Sequence, residues 1–312
     1  KHYLITGGLG FIGSAIANHL IKKKFKVTIY DDLSRGKKKR VKKNSNFLRL
    51  INGDIRDYDK LYKSLNTVDA VIHLAYVNGT KFFYSKPTVI LDIAVKGIIN
   101  VIDACKKKKI KELYLASSSE VYQTPQKIPT DENESLKVPD IYNPRYSYGG
   151  GKIISELYGI HFAKKFLKKF IIFRPHNVYG HDMGNDHVIP ELINKIKNIG
   201  KNNILKIQGT GRETRSFIYI DDFIRALNLV VSKTKKYQLY NIGTDEEITI
   251  KNLTKKILNN FNQSQVKILS EKIFEGSTVR RCPDVKKLSK LGFTPKINID
   301  KGLKKTIEWS KK

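Results

Sequence analysis

The opening of the chain restricts its folds more than any other stretch. Residues 3–8, YLITGG, are a short apolar run entering a glycine turn, and FIGSAIANHLIKK follows with helical spacing of its apolar residues. KVTIYDD then reads as a second strand ending in two acids, Asp31 and Asp32. Strand, turn, helix and strand within about thirty residues make a βαβ unit. Gly7, Gly10 and Gly13 form its turn as G-x-x-G-x-x-G. Such glycines let the backbone bend tightly and approach a pyrophosphate at a helix N-terminus, here opening with Phe11 and Ile12. An acid at the end of the following strand makes this a dinucleotide site. Asp31 would accept hydrogen bonds from the adenosine ribose and repel a 2′-phosphate, which favours NAD over NADP. Arg35 and Lys37 pull the other way, since either can reach a 2′-phosphate. Asp32 reads as a second cofactor contact or as a solvated turn acid.

The pattern continues. FLRLINGDIRD supplies a third strand and a turn, with Asp54 and Ile55 where an adenine could be edged. AVIHLAYV is apolar throughout, as a buried parallel strand should be, and places Leu74 and Ala75 at its exit. Residues 76–87 read as a loop ending at Pro87, residues 87–108 as a long amphipathic helix, and ELYLASSSEVY as a fifth strand. Residues 123–145 carry four prolines and form a long loop of the kind that is usually functional. A second long helix spans YSYGGGKIISELYGIHFAKKF, and FIIFRPHNVYG is a sixth strand and its exit. Alternating apolar strands and helices predict an α/β fold, a Rossmann-type doubly wound parallel sheet. After about residue 177 the pattern changes to short helices and strands, with LKIQGTGRETRSFIYI as a strand pair. The expected division is a dinucleotide-binding domain over 1–176 and a smaller substrate-binding lobe over 177–312, with about 216–243 partly returning to the first.

The stretch these elements serve is 118–152. It begins SSSEVY and ends YSYGGGK. Tyr148 and Lys152 stand four apart and share one helix face. An ammonium close to a phenol favours phenolate, which brings a tyrosine into the range of a general base. Ser118, at the end of the preceding strand, can hydrogen-bond the same substrate oxygen. Such a trio removes a proton from an alcohol while hydride leaves the same carbon for the dinucleotide.

Composition bears on partners and compartment. The 312 residues suffice for a full-sized core, and no apolar run approaches a transmembrane length. No leader is visible in the first residues. Cys105 and Cys282 stand far apart in no metal or redox spacing, as reduced thiols of a cytoplasmic protein would. Lys and Arg number 59 against 29 Asp and Glu, a net charge of +30. The lysines are scattered and no nucleic-acid motif accompanies them, so the charge reads as solvated helix faces rather than a nucleic-acid surface. The run from residue 37 to residue 43 is the best candidate for a patch.

Taken in order, TGGLGFIGS, YDDLS, NGDIRD, VIHLA, SSSEVY, YSYGGGK, RPHNVYG, VIP, RETRSFIYIDD, YNIG and RRCPDVKKL resemble the extended short-chain dehydrogenase/reductases, nearly end to end. Within them the chain is similar to the NAD-dependent nucleotide-sugar epimerases, dehydratases and decarboxylases. The resemblance implies tightly held NAD, a nucleoside-diphosphate sugar as substrate, a role in surface-polysaccharide supply, and a homodimer joined through helices matching 88–107 and 147–166. By motif position Ser118, Tyr148 and Lys152 match the catalytic trio, and Ser119 borders the sugar. Asn177 matches a residue contacting the diphosphate-sugar, and Val188 and Ile189 match the stretch lining the nucleotide. Arg215 and Arg281 match arginines that hold ribose or diphosphate, which suits a guanidinium fork. Arg280 reads as a surface charge.

Several positions depart from the family pattern. Ala94 stands where many relatives carry Asn, Gly151 replaces a common Ser, Tyr76 stands where a small residue is frequent, and His176 replaces an aromatic. All the candidate reactions begin with Tyr148 taking the proton of a sugar hydroxyl, expected at C4. Epimerisation then returns hydride to the other face. Dehydrating relatives usually carry Asp-Glu where this chain has Ser119-Glu120, so dehydration is disfavoured. Decarboxylases of UDP-glucuronate often show a hydroxyl residue followed by Ser-Glu, as Ser118-Ser119-Glu120 does. Glu120 is either a general acid/base facing the sugar or a structural carboxylate tied to backbone or arginine. The expected activity is a nucleotide-sugar 4-epimerase, with decarboxylase or dehydratase as the alternative and a non-catalytic NAD- or RNA-binding module as the remote one. His176, His181 and His187 with Asp182 and Asp186 have no ligand spacing, and no metal is expected. Phe82, Phe83 and Tyr84 either stack on a base or cover a core.

Overall fold

The structure, a computed structural model, describes residues 1–42, 45–200, 202–273 and 275–311, so Lys43 of the basic run lies outside the described residues. The βαβ opening forms as expected, with β1 (His2–Thr6), α1 (Phe11–Lys22) and β2 (Lys26–Asp31). β1 and β2 pair in parallel, Ile5 opposite Ile29 and Thr6 opposite Tyr30. The chain continues through β3 (Leu48–Asn52), α2 (Tyr58–Ser64), β4 (Ala70–His73), α3 (Thr80–Ser85), α4 (Pro87–Lys107), β5 (Glu112–Ala116), α5 (Ser147–Phe162) and β6 (Lys169–Pro175). Then come β7 (Val178–Tyr179), α6 (Val188–Lys197), β8 (Ile204–Gln208), β9 (Thr214–Ser216), β10 (Ile218–Tyr219), α7 (Ile220–Lys233) and β11 (Tyr237–Ile242). The remainder holds β12 (Glu247–Thr249), α8 (Ile250–Asn260), β13 (Lys267–Glu271), β14 (Arg280–Arg281), α9 (Lys286–Ser289) and α10 (Ile299–Ser310).

Seven strands form the main sheet in the order β11-β6-β5-β4-β1-β2-β3. The chain builds outward from β1 to β3, then restarts at β4 on the other side of β1. That reversal puts the exits of β1 and β4 side by side, the place where open parallel sheets bind ligands. Leu74 N–H donates to the Thr6 carbonyl there, 3.1 Å away. The α4 stripe Ile90, Ile93, Ala94, Gly97, Ile98, Val101, Ile102 and Cys105 is buried, with the i, i+3, i+4 spacing of a core-facing helix. Ile55 packs with it in the core. A Cβ on Gly97 would fall 2.3 Å from Ile55 Cδ1, so the two positions fit only as a large-small pair.

The chain divides into two compact units: Lys1–Gln123, Leu136–Pro175 and Ala226–Tyr240 in the first, Thr124–Ser135, His176–Arg225 and Asn241–Lys312 in the second. The sequence reading put 124–135 with the first domain and let the return run over about 216–243. Thr124–Ser135 belong instead to the second unit because their backbone pairs there: Thr130 N–H donates to Cys282 O and Asp284 N–H to Thr130 O, both at 2.8 Å.

Two other local expectations change. Residues 76–87 are not all loop, since Thr80–Ser85 are helical, with Phe83 buried. The stretch 205–220 is three strands in three sheets rather than a pair: β8 joins β13, β9 lies between β12 and β14, and β10 joins β7. Gly209 and Gly211, both at positive φ, break the run. The Glu213 carboxylate accepts from the turn amides of Thr210 (3.0 Å) and Gly211 (2.8 Å). Among the described residues no helix is long and apolar enough to cross a membrane, and both cysteines are buried free thiols.

Candidate active site

The glycine turn is built by backbone contact. Gly7 has φ +69°, and a Cβ there would meet Ala75 N and Cα at 2.8 Å. A Cβ on Gly13 would sit 2.3 Å from Gly7 O. The α1 N-terminus therefore lies against the turn with no side chain between. That helix has no side-chain cap and no acid in its first turn, so no side chain of its own offsets its leading amides and dipole. This bare backbone cradle, closed by Ala75 and ending in the amides of Phe11, Ile12 and Gly13, fits a dinucleotide pyrophosphate.

Asp31 is buried and braces the same turn. Its Oδ2 accepts from Leu9 N–H and its Oδ1 from Leu33 N–H, both at 2.9 Å. Burial pushes the carboxyl pKa up, against those two amides, which pull it down. Each oxygen keeps a lone pair for a ribose hydroxyl. Asp32 is exposed and caps its own turn, accepting from Ser34 N–H (3.0 Å) and Ser34 Oγ (2.7 Å). The Arg35 guanidinium lies over the Phe82 ring at 4.8 Å. The Asp54 carboxylate is occupied by Arg56, whose hydrogen bonds hold its pKa below the usual range. The Ile55 side chain is in the core.

At the β1 and β4 exits, the Thr6 hydroxyl accepts from Leu74 N–H (3.1 Å) and Ala75 N–H (3.2 Å) and lies 2.7 Å from His73 Nδ1. With Thr6 donating to Nδ1, His73 is a neutral acceptor. Burial and the nearby Lys152 charge push its pKa down to about 3. The histidine therefore adds no positive charge beside the lysine.

The trio occupies the start of α5 and the exit of β5. Tyr148 is buried, its ring stacked 4.8 Å from Phe83 and edge-on to Tyr76 at 5.1 Å. Lys152 is also buried, with its Nζ 5.9 Å from the Tyr148 ring centroid and donating to the Ala116 carbonyl at 2.8 Å. Burial lowers the lysine pKa to about 7, against Glu156, which raises it. The ammonium thus sits beside the phenol, anchored by β5. Ser118 Oγ accepts from Glu120 N–H at 3.1 Å, which leaves its own hydrogen to donate. Ser119 is buried. Glu120 lies 3.7 Å from Arg145 Nη2, the partnership anticipated as its structural role.

The second unit holds the remaining candidates. Asn177 has φ +40° and donates from Nδ2 to Ser216 O at 2.9 Å. Val188 opens α6 half-buried, whereas Ile189 is buried in that unit's interior. Arg215 and Arg281 are register partners on β9 and β14. Arg215 donates to the carbonyls of Thr214 (2.8 Å) and Thr278 (2.7 Å), and Arg281 to Thr278 Oγ1 (2.8 Å). Two arginines at partnered positions of adjacent strands suit a diphosphate. Arg280 instead forms a two-point pair with Glu247. His176 is buried with Nε2 3.1 Å from Asn241 Oδ1. Among the described residues no three or more His, Cys, Asp or Glu could hold a metal ion.

Sequence reasoning missed the Glu156–Arg174 pair beneath the trio and the place of Phe83 against Tyr148. The spacing of Glu156, four after Lys152, was a signal available for the first.

The sequence profile of the NAD dependent epimerase/dehydratase family matches residues 3–243. A Methanocaldococcus jannaschii protein assigned as a UDP-glucose 4-epimerase is 33% identical over 313 residues, covering 99% of this chain and 98% of that protein. The UDP-N-acetyl-alpha-D-glucosaminuronate decarboxylase of Bacillus cytotoxicus is 31% identical over 320 residues, covering 99% and 97%. Among solved structures, the UDP-N-acetylglucosamine 4-epimerase of Methanobrevibacter ruminantium, in complex with UDP-N-acetylmuramic acid, superposes with a TM-score of 0.88 at 29% identity, covering 99% and 98%.

Proposed function

The chain belongs to the NAD-dependent epimerase/dehydratase family, and from that premise we propose that it is a nucleotide-sugar 4-epimerase. The observation that carries this reading is the trio Ser118, Tyr148 and Lys152 without a second free acid/base pair. Ser119 is a buried hydroxyl where dehydration needs an acid, and Glu120 is held by Arg145. A trio so equipped can oxidise and re-reduce one carbon, and neither a serine at 119 nor a carboxylate held by an arginine is the acid pair that expelling a hydroxyl from the next carbon needs.

In this reading the glycine turn, the α1 amides and Asp31 hold the dinucleotide. The NAD nicotinamide, when bound, accepts a hydride from the sugar carbon and returns it. Tyr148 takes the C4 hydroxyl proton and later gives it back. Lys152, when protonated, puts positive charge beside that phenol, and Ser118 donates a hydrogen bond to the same oxygen. The paired arginines of β9 and β14, with Asn177 and Val188, serve the nucleoside diphosphate. Positioning and charge stabilisation supply most of the acceleration.

A decarboxylase reading is favoured by the Bacillus cytotoxicus relative and by Ser118-Ser119-Glu120. The deciding experiment incubates the protein with UDP-, GDP-, CDP- and dTDP-sugars and follows mass and stereochemistry. Unchanged mass with inversion at C4 supports the epimerase. Loss of CO2 from a uronic acid transfers the assignment to the decarboxylase, and loss of water to a dehydratase.

The protein is also proposed to be a cytoplasmic homodimer. Val89 and Leu91 on α4 and Ile154, Leu157 and Phe162 on α5 are exposed apolar side chains on two helices that pack together. Light scattering after size exclusion tests this, and a monomer at micromolar concentration would remove it.

A further inference from the structure

Tyr76, Ala94 and Gly151 come from three separate segments and meet at one point. A Cβ on Gly151 would fall 2.1 Å from the Tyr76 hydroxyl oxygen and 2.7 Å from Ala94 Cβ. No side chain can stand at 151 while Tyr76 holds this rotamer and Ala94 keeps its place. The tyrosine thus fills space that two helices leave open between them.

Its ring face is engaged as well. Lys152 Nζ lies 4.0 Å from the Tyr76 ring centroid, closer than its 5.9 Å to Tyr148. The other groups facing that ammonium can be named. Ala116 O on β5 accepts one of its hydrogens at 2.8 Å. Glu156, one turn along α5, is committed to Arg174 through two hydrogen bonds. His73 on β4 is buried and neutral. Tyr148 lies on the same face of α5. A cation taken out of water gains most from an aromatic face when little else solvates it, and that is the situation of Lys152.

We infer that Tyr76 is a positioning residue for Lys152: its ring holds the ammonium against the Ala116 carbonyl and beside Tyr148, and position 151 is bare to admit the hydroxyl end of that side chain. The inference deepens the roles proposed above for Tyr148 and Lys152 and rests on them. The tyrosine hydroxyl takes no part, because it is shielded from solvent and has no hydrogen-bond partner. The ring alone carries the effect.

That separation supplies the test. In the unliganded full-length protein, Lys152 is acylated with acetic anhydride across a pH series. The modified peptide is quantified by mass spectrometry, and the midpoint reads the pKa of Lys152 without substrate. Tyr76→Phe keeps the face and should hold the midpoint within about 0.3 pH unit of the parent. Tyr76→Leu removes the face and should lower the midpoint by about one pH unit, a tenfold fall in the ratio of charged to neutral lysine. The alkaline limb of kcat should fall with it in the leucine variant only. Equal midpoints for the two variants would overturn the inference. Gly151→Ser tests the packing separately. It should lower Tm in the parent and lower it less when combined with Tyr76→Ala, the remaining loss coming from Ala94 Cβ, 2.7 Å from the added Cβ. An equal Tm loss in both backgrounds would show that Tyr76 does not dictate position 151. The labelling is legible even if the sugar substrate proves different, so failure of the epimerase assignment and failure of this inference are distinguishable.

Discussion

Arg174 and Glu156 form a two-point ion pair with both side chains buried, Nε to Oε1 at 2.8 Å and Nη2 to Oε2 at 2.6 Å. Tyr122 completes it, accepting from Nη1 at 2.6 Å. The pair links β6 to α5 one turn beyond Lys152, so it fixes the helix that carries the proton-transfer residues. Removing one partner of such a pair leaves the other charge buried and unmatched. Glu156→Gln is expected to cost about 3–5 kcal/mol of folding stability. Urea unfolding measures this, and a loss under about 1 kcal/mol would mean water reaches the arginine after all.

Tyr148→Phe removes the base and nothing else. The ring keeps its contacts with Phe83 and Tyr76, so the fold and NAD binding should persist. Turnover should fall by about 10²–10⁴-fold, the usual contribution of a positioned proton-transfer group. Single-turnover kinetics with bound NAD makes the comparison, and a loss below tenfold would place the base elsewhere.

Gly13→Ala pushes a methyl group to 2.3 Å from Gly7 O and 2.8 Å from Gly8 Cα. Both neighbours are backbone, so the turn itself must open. NAD affinity is expected to fall at least tenfold, with a stability loss of about 1–3 kcal/mol. Calorimetric titration of NAD reads the first and thermal unfolding the second. Unchanged NAD affinity would show that the cradle is not the pyrophosphate site.

Lys152 ties stability to pH through burial. Its folded pKa is about 7 against the ordinary lysine value of 10.5. Between those values the unfolded chain binds the extra proton, so this group's contribution to stability rises with pH. Below about pH 7 both states are charged and the full cost of burying the ammonium is present. Lys152→Met should therefore raise Tm most at pH 6 to 7, by an amount that shrinks toward pH 10.5, while abolishing turnover. A Tm difference independent of pH would contradict the lowered lysine value.

The glycine turn, the acid that follows it and the Tyr-Lys spacing were readable in sequence because each depends on residues near in the chain. Positive φ at Gly7, a shared helix face for Tyr148 and Lys152, and the parallel βαβ opening are local geometry. The long helix at 87–108 was readable from its apolar stripe for the same reason. Thr80–Ser85 was not, since a single turn buries too few residues to show a period. The strands in 205–220 were visible as apolar runs. Their distribution among three sheets depends on partners as distant as β13 and β14.

By itself the sequence determined the α/β architecture, the glycine turn and the helix face shared by Tyr148 and Lys152, because backbone propensity and apolar period act over a few residues. Tertiary structure alone decided what surrounds those groups. It sets Lys152 against a carbonyl from β5 and a ring from beyond β4, commits Asp54 to Arg56 and Glu120 to Arg145, and makes Arg215 and Arg281 neighbours across two strands. Burial and partner charge control the protonation and reach of a side chain. Both arise only when segments far apart in the chain pack together.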